Sequence, residues 1–180
     1  MEHNLSQTVS LLARMPGALD SLLRNLPETW TAANEGDNTW NVVDVLAHLI
    51  HTEKVNWMIR TEVIMQFGDS RVFDPLDREG PPGQNQGKPI GLLLDEFAEL
   101  RSRSLVELSA MKLEPSDLER KGRHPVFGEV NLSQLLATWA VHDLTHLHQI
   151  SRVMAHQYRE AVGPWSGYLG VLKCAGHSSP

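Results

Sequence analysis

The chain has 180 residues, 41% of them hydrophobic and 21% charged, which is the composition of a globular protein of about one domain's length. Its net charge of −6 excludes a general affinity for nucleic acid or anionic membrane, since both need a basic surface. Its one cysteine, Cys174, cannot form an internal disulfide or a thiolate zinc site by itself. With no secretory signal at the N-terminus and no apolar run of the roughly 20 residues that span a bilayer, a single cytoplasmic domain over 1–180 is expected.

Four stretches carry helical periodicity. The first runs from Leu5 to about Leu26, with Leu12, Met15, Leu19, Leu22, Leu23 and Leu26 at spacings of three and four; Pro16 inside it predicts a kink or a later start. The second spans about Asn41 to Phe67, with Asn38 or Thr39 as N-cap and Gly68 as a stop. The third follows Pro89 and runs from about Ile90 to Met111. The fourth runs from about Leu132 to Tyr158, where Asn131 and Gln134 have the spacing of a capping box. A short fifth helix is expected over Trp165–Cys174, followed by a frayed tail from Gly176.

The connections 27–40, 68–89 and 113–131 are long for a bundle, whose helix links usually take about 2–8 residues. They point to crossovers, or to loops gathered over a site at one end. Residues 126–130, VFGEV, fit a small hairpin or simple extended chain. The expected fold is all-α: a four-helix bundle with long crossover loops and a short C-terminal helix.

Nine histidines are present. On the fourth helix, Leu135, Trp139, Ile150 and Val153 share one face, and His142 and His146 lie within that stripe, one turn apart. Two buried imidazoles need partners, because an unpaired buried polar group costs on the order of 1–3 kcal/mol. A divalent cation between them is one solution; carbonyls, hydroxyls or buried water are another. A third ligand would come from the second helix, which offers His48, beside Val45, Thr52 and Val55, and His51, nearer the polar side; spacing favours His48 modestly. Glu53 falls in the apolar stripe with Val42, Leu46 and Leu49. It needs a ligand histidine, a Trp or an Arg as partner, unless it reaches solvent at the bundle edge.

The segments TWNVVDVLAHL at 39–49 and LLATWAVHDLTHLHQI at 135–150, with GPWSGYL at 163–169, resemble the DinB-like, or YfiT-like, metal-binding four-helix bundles. The resemblance implies that His48, His142 and His146 form a ligand triad loaded with zinc or nickel, in a crossover bundle that is often a homodimer. It leaves His51 and His148 outside the triad, and His148 points about 160° away from His146 on the wheel.

Three nitrogen ligands leave a coordination position open. Such a site suits a thiol S-transferase, in which the ion activates a small thiol such as bacillithiol, mycothiol or glutathione; some DinB-like proteins work this way. It also suits a hydrolase, for which Asp143 and Glu53 are the nearest general-base candidates, although Asp143 lies about 60–100° off the ligand face. From another class comes a stress-related binding module with a structural metal. Trp40, Trp57 and Trp139 read as core or pocket walls, and Cys174 as a small apolar residue near a helix end. Arg101 and Arg103, like Arg120, Lys121 and Arg123, read as solvated charge that could meet a substrate carboxylate.

Overall fold

The computed structural model describes residues 2–77 and 87–174; residues 78–86 of the expected irregular stretch and the tail beyond Cys174 lie outside them. Helix α1 (Leu5–Leu12) and helix α2 (Met15–Leu23) together replace the first expected helix. The break is dictated by Pro16, which occupies the first turn of α2 and has no N–H to offer the carbonyl of Leu12 four residues earlier. A single turn, α3 (Glu28–Thr31), follows.

The second expected helix is also divided, into α4 (Val42–Val55) and α5 (Trp57–Phe67), by Asn56 at φ −118°, ψ −69°. Its N-cap is Asn41, not Asn38 or Thr39: the Asn41 side chain accepts from Asp44 N at 2.9 Å, and Asp44 returns a bond to Asn41 N at 3.0 Å. Gly68, at φ +59°, ends α5 as expected. Helix α6 (Ile90–Ala110) and helix α8 (Leu132–His156) match the third and fourth expected helices, with one turn, α7 (Pro115–Leu118), between them. Asn131 and Gln134 form the anticipated capping box.

Among the described residues, a hairpin and the form of the C-terminal piece set the fold apart from a plain helical bundle. The hairpin is real but begins earlier than residue 126: β1 (Lys121–His124) pairs antiparallel with β2 (Gly128–Asn131). Gly122 lets it dock on α5, because a Cβ there would lie 2.6 Å from Ile64 Cγ1 and 3.0 Å from Phe73 Cζ. The C-terminal piece forms two 3-10 turns, Gly163–Tyr168 and Gly170–Leu172, in place of one helix, and Cys174 is exposed. Among the described residues no helix is long and apolar enough to cross a membrane.

The α4–α5 arm packs against both α6 and α8, while α1 lies on α8 and α2 on α6. The core is consequently split into two apolar clusters. One gathers Leu19, Leu23, Leu46, Ile50, Phe97 and Ile150; the other gathers Leu12, Trp57, Ile64, Leu132, Leu136 and Trp139. On every long helix the boundary between them carries polar residues: Thr52, Glu53 and Asn56; Arg101 and Ser104; Asp143, His146 and Gln149. A buried polar belt therefore crosses the bundle at mid-height.

Candidate metal centre

His48 reaches this belt from α4, and His142 and His146 from consecutive turns of α8. Their Nε2 atoms converge: His48 to His142 at 3.1 Å and His146 to His142 at 3.2 Å. All three offer a ligand atom within 4.8 Å of the others. Two nitrogens at about 2.1 Å from a tetrahedral ion lie roughly 3.4 Å apart, so this spacing suits a shared cation.

The hydrogen-bond pattern fits a cation too. Nδ1 of His146 donates to the side-chain oxygen of Gln149 at 2.8 Å, which leaves its Nε2 as a lone pair. Nδ1 of His142 is buried without a partner. A single proton on His142 Nε2 could serve His48 or His146 but not both, whereas a cation would satisfy all three nitrogens. Burial pushes the basicity of His142 down to about 2, helped by the neighbouring His146, His48 and Arg101. Burial also lowers His146, against the opposing hydrogen bond it donates to Gln149. Both are thus held neutral, the form that ligates metal.

The walls are aromatic, as expected of Trp40 and Trp57. Trp40 sits 5.0 Å from His48 and stacks on His146 at 6.3 Å, and Trp57 meets His142 edge-on at 5.1 Å. Trp57 also stacks on Trp139, which is fully buried. His51 is not in the cluster; its Nε2 donates to the backbone carbonyl of Asp77 at 2.8 Å. His148 is exposed.

Arg101 corrects its reading as solvated charge: it is 1% exposed. Its Nε and Nη2 bind both oxygens of Glu53 at 2.9 and 3.0 Å, and its Nη1 and Nη2 bind both oxygens of Asp143 at 2.6 and 3.1 Å. The remaining N–H of Nη1 donates at 3.0 Å to the carbonyl of Leu12, the group that Pro16 leaves without its helical donor. All five donors are used. The guanidinium also lies between the rings of Phe97 and Trp139, at 4.9 and 5.2 Å. Burial alone would weaken its hold on the proton, but the hydrogen bonds and charges of Asp143 and Glu53 outweigh burial and strengthen it. Burial raises Asp143 to about 6 against the pull of Arg101, with the charge of Glu53 adding to the rise.

Glu53 thus has the arginine partner that its place in the apolar stripe demanded. From the sequence, Arg101 of this belt reads as surface charge, and Gln149 is passed over. Arg101 follows Phe97 by four and precedes Leu108 by seven, within the buried stripe of α6, and Gln149 follows His146 by three, beside Ile150. Each carried the signal of a polar residue on an apolar face.

A family model for the DinB superfamily matches residues 11–150. The chain belongs to the DinB superfamily. This DinB fold is also similar to a solved structure, that of YfiT from Bacillus subtilis, described as a probable metal-dependent hydrolase with an unusual four-helix bundle topology. The likeness covers 82% of this chain and 86% of that one, with a TM-score of 0.66 and 19% identity. No functionally curated protein is close enough in sequence to count as a relative.

Proposed function

We propose that this DinB chain is a metal-dependent enzyme in which His48, His142 and His146 hold a divalent ion, zinc or nickel, for the activation of a low-molecular-weight thiol toward an electrophilic small molecule. Three imidazoles suit borderline first-row ions of this kind, and a triad leaves room for a further ligand. An ion bound there would lower the pKa of a thiol that joins it enough for the proton to pass to bulk solvent without a protein base.

The observation that carries the reading is the engagement of both candidate bases. Each carboxylate oxygen of Glu53 and of Asp143 is bonded to Arg101. Neither carboxylate is left to take a proton from an attacking water, so hydrolysis there would depend on the ion alone to ionise that water. The remaining residues then have simple parts. Gln149 holds His146 in its ligating tautomer. Trp40 and Trp57 cover the imidazoles and limit the access of water.

Metal-loaded protein incubated with glutathione, bacillithiol or mycothiol and a chromogenic electrophile tests this. Thiol consumption should accelerate with the metal present and fall to background in His142→Ala. Hydrolysis is the second reading, favoured by the likeness to YfiT; metal-dependent cleavage of esters or amides with no thiol effect would select it. If no thiol reacts and chelation lowers only the melting temperature, the non-catalytic binding module is left.

A further inference from the structure

Arg101 stands on α6, a helix that contributes no histidine to the triad, yet it is tied to both helices that do. Asp143 directly follows His142 on α8, and Glu53 lies five residues after His48 on α4. Each carboxylate is held through both oxygens, and the Leu12 carbonyl adds the end of α1. One guanidinium therefore joins four helices at the level where the imidazoles meet.

Stability alone gives a weak reason for this arrangement. Buried ion clusters are often no more stabilising than well-packed apolar side chains, and their best-attested use is to specify register. Beside the histidines, Val45, Leu46, Leu49 and Ile50 of α4 are buried in one apolar cluster with Ile150 and Val153 of α8. Apolar packing carries no directional bonds and by itself fixes a unique register less strictly than a polar network does. Metal ligation is not, because ligand distances are held to within about 0.2 Å. The planar fork of arginine holds each carboxylate by two bonds at once, side-on at Glu53 and end-on at Asp143, which fixes their directions.

We infer that Arg101, with Glu53 and Asp143, is a positioning clamp that fixes the register of α4 against α8 and thereby sets the ligand geometry of the triad. The inference rests on the metal reading of the triad and adds residues that touch no ligand atom. Its consequence is that the clamp acts on metal affinity and coordination geometry, beyond any effect on folding.

Titration with Co²⁺ alone, followed by its visible absorption and by competition with a chelator, reads both quantities. Arg101→Lys and Asp143→Asn should each weaken Co²⁺ binding by about tenfold or more and alter the absorption band. Leu23→Ala is the control, since it removes fully buried core volume on α2 away from the belt; it should lower the melting temperature and leave affinity and band unchanged. Should Arg101→Lys fail to fold, Asp143→Asn and Glu53→Gln, which keep side-chain shape but lose the charge and turn one accepting oxygen into an NH2 donor facing Arg101, decide the same question. The clamp is overturned if these variants bind Co²⁺ like the wild type, or if Leu23→Ala produces the same losses. A wild-type protein that binds no Co²⁺ overturns the metal reading itself, and the clamp with it.

Discussion

His146 and Gln149, three residues apart on α8, are joined by a 2.8 Å bond from the imidazole Nδ1 to the carboxamide oxygen. The bond selects the tautomer of His146 whose Nε2 faces His142, so the geometry of the candidate metal centre is set partly by a residue that ligates nothing. Gln149 is 3% exposed, and its amide nitrogen is buried without a partner.

Replacing Gln149 with Leu removes that bond while keeping an apolar filling. His146 is then free to take the other tautomer or to rotate, and metal affinity should drop by roughly 10–100-fold while the fold survives. Competition titration against a chelator measures this. An unchanged affinity would detach Gln149 from the centre.

The histidines themselves separate cleanly by position. His48→Ala, His142→Ala and His146→Ala should each abolish bound metal, measured as metal per chain after purification. His51→Ala should retain it, because His51 is spent on the Asp77 carbonyl. His148→Ala should retain it as well, because that side chain faces solvent. Stoichiometric metal in the His146 variant would refute the ligand assignment.

Gly122→Ala probes the fold without touching the centre. The new Cβ would press on Ile64 and Phe73 where the hairpin meets α5, a close contact that costs about 1–3 kcal/mol. The melting temperature should fall by roughly 2–4 °C for each kcal/mol, with metal content unchanged. An unshifted melting temperature would show that the hairpin yields freely.

These expectations trace back to features of uneven legibility. The helical stripes and the shared face of His142 and His146 followed from spacing, because a period of 3.6 places both among Leu135, Trp139 and Ile150 whatever the neighbours are; their convergence with His48 was implied by the family resemblance. The family resemblance chose His48 over His51 more firmly than the wheel did. The helix breaks at Ala13–Arg14 and at Asn56 were harder to read, since apolar periodicity runs through both. At the first, Pro16 gave the warning; at Asn56 no proline or glycine marks the change. Asn41 was overlooked as the cap because Thr39 and Asn38 are equally good cap types, and only the bond to Asp44 distinguishes it.

Arg101 shows a different limit. An arginine in a helix resembles surface charge until its partners are known, and those partners come from α1, α4 and α8. Glu53 announced its need within its own helix, and Asp143 carried the right angular offset. The site where the three meet exists only in the packed bundle.

X-ray absorption at the metal edge of purified, metal-loaded protein tests the central claim most directly. The account predicts about one ion per chain, with three imidazole nitrogens at roughly 2.0–2.1 Å and a further light or sulfur ligand supplied from outside the triad. A first shell with fewer than three imidazoles, or one built from carboxylate oxygens, would contradict it.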